Sequence, residues 1–188
     1  TREKIQNIYK TKLSEGIKNG LLADNELSLM TEVIDDEGET KDHIDHLDMR
    51  FKLFGGTGIK RGKFPKKNNE LQKINDEWVN ICKEASLFEI MSCHCAIEGW
   101  YPQVSTMFET EYKKRGFKNE ELEIFIAHQG ADVEHSEAQY GILEKNYSKL
   151  DVSRIEEMVK RTFATSRAYE VMKLNFANSD KPLDHFFE

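Results

Sequence analysis

Apolar residues recur every three or four positions along most of this chain, which is the spacing of amphipathic α-helices. The pattern predicts helices at 2–18, 25–34, 42–54, 69–84, 87–115, 119–147 and from 151 onward. No segment alternates strictly between apolar and polar residues as a half-buried strand does, and no repeat or interdomain linker is visible. We therefore predict an all-α fold in which residues 1–188 form a single domain of about seven helices.

The predicted helix at 119–147 carries polar residues on an inward face. One stripe at helical spacing contains Leu122, Phe125, His128, Asp132, His135, Gln139 and Ile142. Its ends are apolar, so the stripe is expected to face the core, with His128, Asp132 and His135 within roughly 60° of one another. Buried ionisable groups need partners, and a metal ion is a suitable one. The spacing alone is more typical of a salt-bridged helix face, and the inward stripe makes the two interpretations about equal.

Further potential ligands lie on two other predicted helices or beside them. Glu98 lies in an apolar and aromatic segment, 95–102, where a carboxylate needs a compensating cation. His43 shares a helix face with apolar residues, and the acidic run before it contains Asp36 and Glu37. Singly, these residues are also explained by a helix cap, a core histidine and a solvated loop. Their conjunction favours a metal site built from several helices of a bundle.

Charge and cysteine content narrow the class of protein. A net charge of −7 without a basic stripe argues against nucleic-acid binding. No apolar run approaches the roughly 20 residues of a membrane span, and no signal peptide is visible. Three cysteines form no disulfide framework, which predicts a cytoplasmic protein, and Cys93-His94-Cys95 lacks the further ligands of a tetrahedral site. We interpret the thiols of this segment as ordinary buried or half-exposed side chains.

Three sequence blocks resemble the heme-oxygenase-like di-iron oxidases, and most closely the branch of the chlamydial death-domain-associated protein. The first block is Asp36-Glu37 followed by His43-Ile44-Asp45. The second is Glu98 followed by Pro102, and the third is His128-x3-Asp132-Val133-x-His135. The blocks occur in the family's order between residues 21 and 147.

The resemblance implies a heme-oxygenase-like helical bundle with two irons per chain, cycling between Fe(II) and Fe(III), and no catalytic residue beyond the metal ligands. We expect the family's additional N-terminal helix to be missing or trimmed. The implied ligands are Asp36 or Glu37, His43, Glu98, His128, Asp132 and His135. The implied reaction is O2-dependent oxidation or cleavage of a small amino-acid-like or fatty-acid-like metabolite, supported by an electron donor.

Four residues near Glu98 are candidates to line the substrate pocket, although core packing would also account for them: Trp100, Tyr101, Met107 and Phe108. The chlamydial protein builds p-aminobenzoate from its own tyrosine and lysine. Ile97 and Phe108 occupy those positions here, so that chemistry is not expected. The scaffold is compatible with a homodimer.

Two alternatives stay open on the same scaffold. One is a metal-independent enzyme resembling pyrroloquinoline-quinone synthase or thiaminase. The thiaminase variant is disfavoured because no cysteine here is followed four residues later by tyrosine. The other is a non-catalytic interaction protein.

Overall fold

The computed structural model describes residues 2–36, 49, 52–53 and 69–177, and this part of the chain is helical with no strand. It contains six α-helices: α1 (Arg2–Lys18), α2 (Asp24–Asp36), α3 (Asn69–Glu84), α4 (Leu87–Lys114), α5 (Glu123–Lys145) and α6 (Val152–Ala177). Short 3-10 turns at Asn119–Glu121 and Tyr147–Lys149 flank α5. The all-α prediction is confirmed. Most of the helix predicted at 42–54 lies outside the described residues.

The predicted boundaries are most accurate where local sequence signals are strong. Ser86 and Glu89 form a capping box that starts α4. After the helix, Gly116 adopts a φ of +91°, a left-handed conformation that glycine tolerates best. The helix predicted at 119–147 corresponds to α5, and its predicted start at residue 119 is wrong. The chain forms a 3-10 turn at Asn119–Glu121, and α5 starts at Glu123 without a side-chain cap.

Helices α4 and α5 form the most extensive interface of the fold and run antiparallel, because His94 meets Gln139 whereas Glu109 meets Gln129. Helix α6 packs against α4 and α3, and α1 packs against α2, α3 and α4. Arg161 on α6 binds both Glu77 and Glu84 of α3, with Nε 2.6 Å from Glu77 Oε1. The α4–α5 pair therefore lies against the other helices as the central element of the described structure.

Two apolar clusters lie at opposite ends of the α4–α5 pair. The larger one joins residues of all six helices, including Leu13, Met30, Ile81, Met91, Ile142 and Met158. The smaller one surrounds Phe125 and includes Leu122, Ile124, Met49, Leu53, Phe108, Tyr112 and Phe117. Between the clusters, the two helices bury polar residues against each other. None of the helices in the described ranges has the length and apolarity needed to span a bilayer.

Candidate metal centre

Glu98 on α4 faces Asp132 and His135 on α5, and their potential ligand atoms all lie within 4.8 Å of one another. Glu98 and Asp132 are only 4% and 2% exposed. Metal bonds to oxygen or nitrogen are about 2.1 Å long, so two ligands on opposite sides of an ion lie about 4.2 Å apart. Small side-chain rotations would thus place these three residues around one cation. The fold thus brings together Glu98, Asp132 and His135, three of the residues predicted as ligands, and their role as metal ligands stays a prediction.

One pair in this cluster already has the spacing of neighbouring ligands. Oε1 of Glu98 lies 3.2 Å from Nδ1 of His135. Two ligands at right angles around an ion, each about 2.1 Å away, lie about 3 Å apart. The same separation also suits a hydrogen bond from imidazole to carboxylate. The pair is therefore compatible with both a metal-bound and a metal-free centre.

The other carboxylate oxygen of Glu98 contacts two different side chains. Oε2 lies 3.2 Å from Nδ1 of His94 and accepts a hydrogen bond from Nε2 of Gln139. His94 was set aside in the sequence analysis as part of the Cys93-His94-Cys95 segment. The signal that could have identified it is its position one helical turn before Glu98, since residues four apart on a helix lie side by side.

Histidines keep Glu98 ionised in its buried position. Burial raises the pKa of the Glu98 carboxyl, but His94 and His135 outweigh burial through charge and hydrogen bonding and hold the pKa at about 2. Within the part of the chain that the structure describes, no lysine or arginine pairs with Glu98. A metal ion can replace the imidazole protons as the positive partner of this carboxylate, because an imidazole nitrogen must lose its proton before it binds a metal.

Gln139 is fully buried and connects this centre to α1. Its Oε1 lies 3.2 Å from Nδ1 of His94 and 3.4 Å from the Tyr9 hydroxyl, while its Nε2 also donates to the carbonyl of His135 at 3.2 Å. The Tyr9 ring meets His94 edge-on, with 5.8 Å between ring centroids. Burial raises the pKa of Tyr9 well above its usual value, and the charge of Glu98 adds to this effect. Tyr9 is therefore a neutral hydrogen-bond donor.

His128 lies one turn before Asp132 on α5 and is not part of the three-residue cluster found among the described residues. Its Nδ1 lies 2.5 Å from the carbonyl oxygen of Ile124. A carbonyl only accepts, so Nδ1 carries the hydrogen, and Nε2 is the ring nitrogen that a metal would use. Metal-binding histidines are commonly oriented by such a bond. The prediction that His128 is a ligand stays a prediction.

The remaining predicted ligands lie in or beyond the last turn of α2. Asp36 ends that helix, and its side chain, together with Glu37 and His43, lies outside the described residues. Of the ligands implied by the resemblance, the structure thus describes the side chains of those on α4 and α5.

The four predicted pocket residues occupy different surroundings. The ring of Tyr101 lies edge-on to His128, at a centroid distance of 5.8 Å. Trp100 packs on Phe163 of α6 at 5.7 Å, Phe108 stacks on Phe125 at 5.4 Å, and Met107 is 68% exposed. Within the described residues, Tyr101 thus contacts the predicted ligand His128, and a substrate pocket stays a prediction.

Comparisons with family models, curated proteins and solved structures found no match to this chain.

Proposed function

We propose that this chain is a non-heme di-iron oxidase or oxygenase on a heme-oxygenase-like bundle. The observation that supports this most directly is the convergence of Glu98, Asp132 and His135 within 4.8 Å in a buried interface between two helices. Carboxylate oxygen and imidazole nitrogen are donors that suit iron, and oxygen-activating iron sites combine them with open coordination positions. Bundles use facing helices to build such centres.

The residues present fit a divalent iron. The carboxylates of Glu98 and Asp132 are buried, so a cation of charge +2 would neutralise two carboxylate charges and offset the cost of their desolvation. Glu98, Asp132 and His135 would hold the first iron. His128, His43 and either Asp36 or Glu37 are the other ligands that the sequence resemblance implies, and we propose that they complete the two-iron site. Three protein ligands per iron leave positions for small molecules.

Iron, when bound, supplies the capacity to reduce O2. The protein's own residues bind the ions, restrict water and place a substrate beside them. Tyr101 is positioned to contact a substrate near His128, since the two rings already meet. A small amino-acid-like or fatty-acid-like metabolite is the proposed substrate class, and an electron donor is required to return the centre to Fe(II).

Iron uptake tests the centre. Purified protein treated with a chelator and then titrated anaerobically with Fe(II) should bind about two irons per chain. Asp132→Ala and His128→Ala should each reduce the bound iron, while far-ultraviolet circular dichroism keeps its helical signal. If both variants bind as much iron as the unaltered chain, the proposed ligand set is wrong. O2 consumption by the Fe(II)-loaded protein, screened against small metabolites, then tests the reaction.

A metal-independent enzyme on this bundle is the second candidate. It is favoured by one observation: both carboxylate oxygens of Glu98 already contact hydrogen-bond donors, His135 at Oε1 and Gln139 at Oε2. Such a centre needs no cation to satisfy the carboxylate. Activity that survives removal of metal with a chelator would support this candidate over the iron enzyme.

A further inference from the structure

His94 and Gln139 both contact Oε2 of Glu98 and contact each other, and Tyr9 contacts Gln139; we call Tyr9, His94 and Gln139 the polar clamp. Nδ1 of His94 lies 3.2 Å from both Oε2 of Glu98 and Oε1 of Gln139. Both neighbours of Nδ1 are acceptors, so Nδ1 carries a hydrogen. The amide of Gln139 is oriented by the same logic, because its nitrogen faces the carboxylate and its oxygen faces His94 and Tyr9.

The clamp engages one carboxylate oxygen and leaves the other directed at the candidate ligands. Oε1 of Glu98 contacts His135, which belongs to the metal cluster with Asp132, whereas His94 is outside that cluster. A glutamate side chain without such contacts would rotate about its last torsion, because that torsion is broad. Here the two oxygens are made inequivalent by their partners. The geometry therefore gives Glu98 a defined face toward a cation.

We propose that His94 and Gln139 are positioning residues, which hold Oε2 of Glu98 so that Oε1 alone is presented to the cation bound by Asp132 and His135. This inference rests on the metal centre of the proposed function. It assigns to His94 a role that the ligand set from the resemblance does not contain. Neither residue is proposed to contact the metal.

Burial makes this role energetically significant. Gln139 is 0% exposed and Glu98 is 4% exposed, so their hydrogen bond is not in competition with bulk water. Partners that orient a metal ligand typically contribute about 10- to 100-fold in metal affinity. The Tyr9 hydroxyl donates to Gln139 rather than to Glu98, at the longer distance of 3.4 Å, so its contribution should be smaller.

The same helix pair offers a matched control. Nε2 of Gln129 on α5 donates to Oε2 of Glu109 on α4, as Gln139 does to Glu98, but ten residues away along α5. Gln129→Leu therefore removes a glutamine–glutamate contact between the same helices without touching the centre. His94→Asn is the conservative variant, because the asparagine amide nitrogen replaces the Nδ1 donor.

The experiment is a titration of metal-free protein with Co(II), read by calorimetry and by the visible spectrum of the bound ion. We expect His94→Leu and Gln139→Leu to bind Co(II) about 10- to 100-fold more weakly and with an altered spectrum. His94→Asn and Gln129→Leu should stay within about threefold of the unaltered chain, and Tyr9→Phe should lie between the two groups. Circular dichroism confirms that each variant is folded. His94 is partly exposed, so its variants remain informative if Gln139→Leu does not fold.

Two outcomes would overturn the inference, and they differ. If the unaltered chain binds Co(II) but His94→Leu and Gln139→Leu bind it equally well, the clamp has no positioning role, while the proposed centre stands. If the unaltered chain binds neither Co(II) nor Fe(II), the proposed centre is wrong and the role of the clamp fails with it.

Discussion

Two stretches of the α4–α5 interface pack the same two helices through different contacts, one aromatic and one polar. Near the end of α4 and the start of α5, Phe108 and Tyr112 stack on Phe125 at centroid distances of 5.4 and 5.7 Å. We call this the aromatic half. Farther along the same helices, Glu98 meets His135 and Gln139 in what we call the polar half. The same pair of helices is thus held by apolar contacts in one place and by buried polar groups in the other.

The contrast indicates which half contributes more to the stability of the helix pair. Aromatic pairs need no further partner and stabilise a helix interface through buried area. Buried carboxylates lose hydration, and replacing buried ionic groups by apolar residues is often neutral or stabilising. Packing alone would therefore favour leucine or phenylalanine in the polar half as well. We therefore propose that the ionised groups of the polar half serve the proposed metal centre, and the following predictions test this division.

The largest expected effect is on stability, from Phe125→Ala in the aromatic half. Phe125 is 9% exposed and contacts two stacked rings, so truncation should lower the free energy of unfolding by about 3–5 kcal/mol. Denaturation with urea measures this change. Asp132 lies seven residues away, about 10 Å along the helix, so the affinity of the Glu98–Asp132–His135 cluster for Co(II) in the folded variant should remain as in the unaltered chain. Phe125→Leu serves as the milder control. A loss of Co(II) affinity in folded Phe125→Ala would contradict the separation of the two halves.

The corresponding change in the polar half is Glu98→Gln, whose main effect should be on metal affinity rather than on the free energy of unfolding. Glutamine keeps the shape of the side chain but removes the charge that a cation requires, so affinity for Fe(II) or Co(II) should fall by at least about 100-fold. The free energy of unfolding of the metal-free variant near neutral pH should fall by at most about 3 kcal/mol, because the uncharged amide loses the attraction of His94 and His135 that keeps the pKa of Glu98 low. Calorimetric titration and urea denaturation of the same sample give both numbers. A variant that retains tight metal binding would remove Glu98 from the centre.

The periodicity of the sequence correctly predicted which residues of α5 face inward in the polar half, but not which residues of α4 they contact. Helical periodicity placed Asp132 and Gln139 on the inward face of α5, and both are buried. The pairing of that face with Glu98 depends on how α4 and α5 cross, which periodicity within one helix does not encode. The fold class followed from the apolar spacing, and the bounds of α1 and α3 agree with the predicted ranges.

Two residues of the clamp show where sequence reasoning ended. His94 was read with its neighbouring cysteines rather than with Glu98 one turn away, although both lie on α4. Tyr9 fits the apolar pattern of α1, and its hydroxyl contact with Gln139 joins residues 130 positions apart. Such a contact arises from tertiary packing and has no local signal. The start of α5 was misplaced because the 3-10 turn at Asn119–Glu121 carries the same acidic residues as a helix N-terminus.

The polar half should also leave a signature in the pH dependence of stability. The pKa of Glu98 is about 2 in the folded chain, compared with 4.5 as its ordinary value, because the two histidines outweigh burial. A lowered pKa contributes stability above pH 4.5, and this contribution is lost as the pH falls toward 2. It amounts to about 3 kcal/mol at most. Urea denaturation of metal-free protein at pH 6 and pH 3 should show a smaller loss for Glu98→Gln than for the unaltered chain. Equal losses of unfolding free energy between pH 6 and pH 3 in the two proteins would contradict this contribution of Glu98.

The smallest expected effect is at Ser105, which lies on α4 between the two halves. Ser105 is 0% exposed, and its hydroxyl has no hydrogen-bond partner within the described part of the chain. A buried hydroxyl without a partner costs free energy, and alanine is the better helix former. Ser105→Ala should therefore raise the free energy of unfolding by less than about 1 kcal/mol and leave Co(II) affinity unchanged.

Ser92→Ala on the same helix is the matched control for Ser105→Ala. The Ser92 hydroxyl is also buried, but it donates to the carbonyl oxygen of Phe88 at 2.7 Å. Its removal eliminates a satisfied hydrogen bond, so this variant should be neutral or less stable by about 1 kcal/mol. Opposite signs for the two serines would show that polar groups on α4 stabilise the fold only where they are bonded. A loss of Co(II) affinity in Ser105→Ala would instead show that the polar half extends beyond Glu98 toward the aromatic half.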